Sequence, residues 1–440
     1  MSYRRLVLAP AVVLMAALAV APAAGAVDYP PPSKPTGSTG KPKGPFRTLR
    51  VCKSGHNCFP RIQDAVNEAR PGDTIRVAHG TWRESVKVIG AKKRYIKLIG
   101  DAKHPEKVVI EGKGLKSGSN GVLVNGADQV TINGFTAQHF RANGFFVTNA
   151  KGYTMTNLAA FLAGVYGVYA FNSVGGTISD SVAAWNSDSG FYIGQTPVQA
   201  KPVRSIVRNI TSYGNVLGWS GTNMRYVTIS DSKFYNNGTG IVPNALDSEK
   251  WPPAENNVIT RNEVFWNNYN YYAGAPFKLG NTQVKGSVPF PIGVGILLFG
   301  GRGNEVTQNK VYGNWLVGVG ALQALTLKAA DARDLVGNSV TGNEFGLNGT
   351  DLNGRDLFYD GNGSGNCFGP NAGVQARFPE DGSTFQDCPF TAANTFNGDA
   401  QAAAVNWTVG DTTHEANWLR HDHAPKPGLT PMEHYTGGVK

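Results

Sequence analysis

Little in this chain suits a helical bundle, a membrane protein or a nucleic-acid binder. Only 16% of its residues are charged, and methionine and cysteine number five and four. Sparse charge beside 55 glycines and 10% aromatics points to strands and turns rather than long helices. After the first 26 residues no apolar run is long enough to cross a bilayer. No nucleic-acid-binding motif accompanies the net charge of +10, so nucleic acid is not an expected partner. That charge is also uneven. Residues 1–120 hold 21 Lys/Arg against 8 Asp/Glu, and residues 121–440 hold 20 against 23. The basic N-terminal part is either an attractor for an anionic surface or polymer or a solvated basic cap.

The scarcity of cysteine is informative as well. Four cysteines fit an exported, oxidised protein. Cys52 and Cys58 bracket KSGHN, and Cys367 and Cys388 bracket a Gly/Pro-rich loop. Local pairing within each couple is the expectation; a metal site using His56 fits no zinc spacing. Residues 1–26 read as a signal peptide: Arg4 and Arg5, an apolar stretch, then Ala24-Gly25-Ala26. Residues 27–47 form a Pro/Gly-rich linker too poor in apolar residues to pack. The protein is therefore expected to be secreted, with no membrane span, and to act as a monomer.

A repeat dominates the remainder. Short strands opening with glycine start at Gly121, Gly144, Gly167 and Gly190, each 23 residues after the last, and continue at Gly218, Gly240, Gly295 and Gly318. Between them lies a second strand ending in Asn or Asp, as in VTING, GTISD and VTISD. A further Asn precedes many Gly strands: Asn186, Asn215, Asn237, Asn268, Asn314 and Asn343. One such coil cannot bury its own apolar side chains, whereas stacked coils enclose a continuous core. Asn side chains stacked along the turns can satisfy backbone groups that no strand reaches.

On these features, and on CFPRIQDAVNEARPGDTIRVAHGTWRESV near the start, the chain resembles the pectin-lyase-like superfamily of right-handed parallel β-helix proteins. The expected fold is all-β: a right-handed parallel β-helix solenoid over residues 48–370 with a short N-terminal capping helix, followed by a C-terminal cap and extension over 371–440. Ile62, Ala65, Val66 and Ala69 are expected on the buried side of that helix. The superfamily includes polysaccharide lyases, hydrolases, uronate epimerases and non-catalytic surface proteins, so fold does not settle function. The Trp-Ile-Asp-His strand of pectate lyases, the Asn-Thr-Asp and Asp-Asp elements of polygalacturonases and the Asp-Pro-His-Glu of alginate epimerases are all missing.

Candidate residues come from position. Gly240 to Gly295 spans one coil with about 32 extra residues relative to the common 23-residue repeat. The excess falls around residues 243–256 and 269–291, flanking one face, and long loops on a rigid scaffold carry function. The loops QTPVQAKPV and ALQALTLKAADARD leave from the same turn as the first insertion. The expected cleft holds Asp188, Tyr192, Asp247, Glu249, Lys250, Trp251, Tyr271, Tyr272 and Lys278. Phe146, Tyr169 and Tyr192 are expected to point outward as an aromatic ladder, serving as a sugar platform or as a stripe covered by a loop. Asp247, Glu249, Lys250, Arg261 and Arg208 are the candidates for acid, base or carboxylate contact. Asp247 and Glu249 could instead hold calcium, pair with Lys250, or sit on a plain surface loop. Asp180 and Asp231 read as turn residues of the Asn ladder. His414, His421, His423 and His434 read as solvated. The expected partner is an extracellular polysaccharide, bound and processed, or else bound without chemistry by a cell-envelope protein.

Overall fold

The computed structural model describes residues 40–271, 275–278, 291–325, 327, 330–347 and 349–407. The signal peptide expected over 1–26, most of the linker, Tyr272 and the four tail histidines lie outside the described residues.

Each coil contributes three strands, all paired in parallel with the coils before and after. The first and second faces form an 18-stranded sheet and the third face an 11-stranded one. In one coil, Lys151–Phe161 supplies the first two faces and Val168–Phe171 the third. The bend inside Lys151–Phe161 comes from a single residue in the left-handed region, Asn157 (φ 52°). Asp180, Asn209 and Asp231 repeat this corner at 51°, 50° and 52°. Asn and Asp tolerate this conformation better than other side chains, so Asp180 and Asp231 are corner residues. In the next coil the corner is Arg261 (φ 54°), and not Asn262.

The recurrent glycine that opens each third-face strand has a steric reason. A Cβ at Gly144 would lie 2.7 Å from the Gly167 carbonyl oxygen, and one at Gly167 would lie 2.6 Å from that of Gly190. The coils approach too closely at this point for any side chain.

Interior asparagines stack as expected. Asn186, Asn215, Asn237, Asn267, Asn314 and Asn353 form one ladder, with Nδ2 of one coil donating to Oδ1 of the next at 2.9–3.1 Å. Asn267 rather than Asn268 takes part, and Asn343 belongs to a parallel ladder with Asn262, Asn309 and Asn371. The apolar core runs inside the coils from Val51 to Phe368.

Helix α1 (Ile62–Glu68) packs at the first coil and buries Ile62, Ala65 and Val66, with Ala69 beside them. A last helix (Gly398–Asn406), capped by the Asn397 side chain on Ala400 N at 2.9 Å, lays Ala400 and Ala404 against Val317, Leu322 and Phe358 on the outside of the third face. Strand pairing continues past residue 370, to Arg377–Phe378. Cys52 bonds to Cys58 and Cys367 to Cys388, the local pairings expected. No described helix is long and apolar enough to cross a membrane.

Candidate functional site

The register confirms that Gly240 and Gly295 open consecutive coils: Thr239–Asn244 pairs directly with Val294–Phe299. Three loops leave the third face on the same side, after Gly194, Asn244 and Leu322, and they pack together. The Gln195 Oε1 accepts the Lys250 amide at 2.9 Å. Ala245 clusters with Ala324, Leu327 and Ala332. Asn223, buried in the left-handed region, donates through Nδ2 to the carbonyls of Leu246 (2.8 Å) and Glu249 (3.0 Å), and its Oδ1 accepts the Leu246 amide. Buried Arg225 donates to the Trp251 carbonyl at 2.8 Å and pairs with Glu255. The insertion is thereby pinned across the outside of the third face.

Under it lies one unusual pair. The Tyr192 hydroxyl donates to Glu249 Oε1. Glu249 as a residue is half-buried, but its carboxyl group is enclosed, with Oε2 lacking a hydrogen-bond partner among the described residues. Burial pushes the Glu249 carboxyl up to about 8, against the opposing pull of the Tyr192 hydrogen bond, and the nearby Asp188 charge adds to the rise. Burial, with Glu249 beside it, likewise raises Tyr192 well above the ordinary phenol value. The enclosure therefore favours the protonated form of Glu249 well above the usual carboxylate range. Gln195 Nε2 and Asn244 Oδ1, on the same loop turns, are also enclosed without hydrogen-bond partners among the described residues.

The other candidates separate. Asp247 and Lys250 are exposed and Trp251 is half-buried. Tyr271 is buried against Trp185, Tyr213, Leu217 and Val242, so the start of the second insertion packs on the opposite border of the third face, and Lys278 is exposed. Arg208 and Arg261 lie apart from these residues, a correction to their place among the candidates for acid, base or carboxylate contact. Arg208 is exposed at the end of a first-face strand, level with Ser179 and Ser230. Arg261 is spent on a two-point contact with Asp231, Nε to Oδ1 at 2.7 Å and Nη2 to Oδ2 at 2.8 Å. That contact is the first cause holding the Asp231 carboxyl below the usual range. No cluster of three or more Asp, Glu, His or Cys side chains suited to a metal occurs among the described residues, so no calcium site is assigned.

Of the two readings of the aromatic ladder, sugar platform or covered stripe, burial favours the covered stripe. Phe146, Tyr169 and Tyr192 do align on consecutive coils of the third face, in a cluster separate from the interior core. They are not exposed: all three are buried. Phe146 and Tyr169 stack face to face at 4.4 Å and 6°, Tyr192 meets Tyr169 edge-on at 4.8 Å, and Tyr166 packs on both tyrosines. Rings repeated every coil spend their faces on one another, which leaves none for a sugar. A ladder not foreseen, Tyr213, Tyr235, Phe265 and Tyr312 on the second face, shows the same stacking at 5.0–5.3 Å. Tyr169→Ala is expected to lower stability by about 3 kcal/mol, the cost of an emptied aromatic site. Chemical denaturation measures this directly.

Asn223, Arg225 and Gln195 were missed in the sequence. Arg225 carried a readable signal, since it, Glu255 and Arg302 occupy equivalent places in successive coils. Asn223 and Gln195 carried none, because their partners lie on a loop with no periodicity.

Residues 120–345 match the family described as the right-handed β-helix region. The chain belongs to the right-handed β-helix family. No curated protein matches this β-helix chain in sequence. Among solved structures, the A-module of Azotobacter vinelandii mannuronan C-5 epimerase AlgE4 is 16% identical, with 72% of this chain and 90% of that one covered and a TM-score of 0.49. The catalytic domain of a GH87 alpha-1,3-glucanase in complex with nigerose is 11% identical, with 83% and 70% covered and a TM-score of 0.48. Pectate lyase Pel9A is 14% identical, with 76% and 78% covered and a TM-score of 0.38. These likenesses concern the course of the backbone alone.

Proposed function

We propose that this β-helix protein is secreted and processes an extracellular polysaccharide along the outside of its third face, with Glu249 as the proton donor. The observation that carries this reading is the enclosed Glu249 carboxyl on the Tyr192 hydroxyl, in an insertion that interrupts an otherwise regular solenoid. Carboxyl groups raised toward neutrality suit general acid work at pH 7. In this role Glu249 gives its proton to the glycosidic oxygen as the bond from that oxygen to the anomeric carbon breaks. Water adds its hydroxyl to that carbon and its proton returns to Glu249. Tyr192 orients the carboxyl, and Asp188 favours its protonated form in the resting state. Access requires the insertion to lift from Tyr192. Enclosed polar atoms at Gln195 and Asn244 supply donors and acceptors for sugar hydroxyls once it does. A uronate-bearing glycan is the substrate class put forward.

A second reading, a non-catalytic glycan-binding protein of the cell envelope, draws support from the enclosure of Glu249 itself, which then serves to hold the insertion down. The experiment is turnover on a panel of polysaccharides, with and without calcium, followed by the absorbance of unsaturated products and by reducing ends. Wild-type turnover that falls by about 10²-fold or more in Glu249→Gln is expected. Equal rates in the two proteins, or binding without turnover across the panel, would reject the catalytic reading.

A further inference from the structure

The positive charge of the N-terminal coils takes no part in the Glu249 site. There the first face carries Arg50, Arg76 and Lys97 on its outer side. Arg50 lies directly opposite Arg76 on the neighbouring strand, and Lys97 follows on the next strand, opposite Thr74. All three are exposed, while the alternating Val51, Ile75, Val77 and Leu98 fill the core. Like charges directly opposite on adjacent strands destabilise a sheet, so fold stability does not account for them.

Four arginines elsewhere are paired with carboxylates. Arg47 meets Glu68 and Asp73, Arg61 meets Asp64, Arg225 meets Glu255 and Arg261 meets Asp231. The carboxylates bordering the basic strands are already engaged. Asp73 is held by Arg47, and Asp101 by His79 and by the amides of Lys103 and His104. No hydrogen bond or ion pair among the described residues uses the side chains of Arg50, Arg76 or Lys97.

We infer that this face of the first three coils is a docking surface for an anionic polysaccharide. Guanidinium groups bind carboxylate or sulfate in a two-point geometry, and the Thr48 and Thr74 hydroxyls beside them can pair with sugar hydroxyls. Spacing favours a sugar chain. Strands recur about every 4.8 Å, close to the length of one pyranose unit, so a glycan lying along the solenoid axis brings one anionic group to each coil. A duplex strand advances about 3.4 Å per nucleotide, out of step with the coils. None of the outward positions here, Thr48, Arg50, Thr74, Arg76, Lys97 and Ile99, offers an aromatic ring for a base.

The test uses the full chain and the combined variant Arg50→Gln, Arg76→Gln, Lys97→Gln, with circular dichroism as the folding control. Binding is measured by calorimetry against polygalacturonate, neutral dextran, single-stranded DNA and phosphatidylserine vesicles over a salt series. The wild type is expected to bind polygalacturonate and not dextran. The folded variant is expected to lose about tenfold or more in affinity and to show a shallower salt dependence. The control Lys310→Gln, which removes an exposed positive charge from a distant coil, is expected to bind polygalacturonate as the wild type does, which separates this surface from a general effect of charge. Unchanged affinity in the folded triple variant, or stronger binding of DNA or vesicles than of polygalacturonate, would overturn the inference.

Discussion

Between pH 5 and pH 8 the wild-type protein is expected to lose stability that Glu249→Gln retains. In the folded chain Glu249 keeps its proton up to about pH 8, against an ordinary value of 4.5. In the unfolded chain it releases the proton near that ordinary value. Inside this window folding must take up a proton, so stability falls as pH rises. Below about pH 4.5 the penalty is absent, and above about pH 8 it is complete and constant. A shift of this size corresponds to at most about 4–5 kcal/mol. Gln keeps the acceptor for the Tyr192 hydroxyl and cannot ionise. Other raised carboxyls, Asp360 and Asp128, slope in the same direction in both proteins, so the difference between the two curves isolates Glu249. Melting followed at half-unit pH steps should show the curves together near pH 4 and apart by about 5 °C at pH 8. Parallel curves would mean that Glu249 titrates alike in both states.

Replacing Asn267 with Leu should be among the most damaging single changes in the chain. Asn267 is fully buried. Its Nδ2 donates to the Phe234 carbonyl and to Asn314 Oδ1, and its Oδ1 accepts the amide and the Nδ2 of Asn237. Leu has a similar volume, so the core stays filled while four polar partners each lose a bond inside it, although Asn237 Nδ2 keeps the Ser212 carbonyl and Asn314 Oδ1 keeps the backbone amide of residue 267. Each stranded group costs about 1–3 kcal/mol, and partial relaxation brings the expected total to about 4 kcal/mol. The effect should also be local. In a solenoid each coil contacts only its neighbours, so hydrogen exchange should accelerate in the coils around residues 237–314 before it does near the first coil. A uniform rise in exchange along the chain would contradict the nearest-neighbour account.

The solenoid was legible because its physics is periodic. The 23-residue interval, the glycine opening each third-face strand and the buried asparagines all express the same close stacking of coils. Errors arose where two adjacent residues could fill one role. Asn267 and Asn268 stand side by side, and only the strand register selects the first. Arg261 takes the left-handed corner that Asn or Asp holds in the preceding coils, and Asn262 beside it joins the interior ladder instead.

The site was legible in outline only. Interrupted periodicity marked the 243–256 insertion, and alternation gave the outward direction of Phe146, Tyr169 and Tyr192. Their cover could not be read, because Glu249 lies 57 residues from the tyrosine it meets. Asp247 and Lys250 differ from Glu249 in burial, not in composition, and burial on a non-repeating loop is fixed by distant contacts such as those of Asn223 and Gln195.

The most direct test of the central claim is the protonation of Glu249 itself, followed by carbon-13 NMR of the labelled side-chain carboxyl with Glu249→Gln for assignment. The account predicts one glutamate resonance that remains in its protonated position at pH 7 and moves near pH 8. If every glutamate has titrated by pH 6, Glu249 is an ordinary carboxylate, and neither the neutral acid nor the reaction built on it stands.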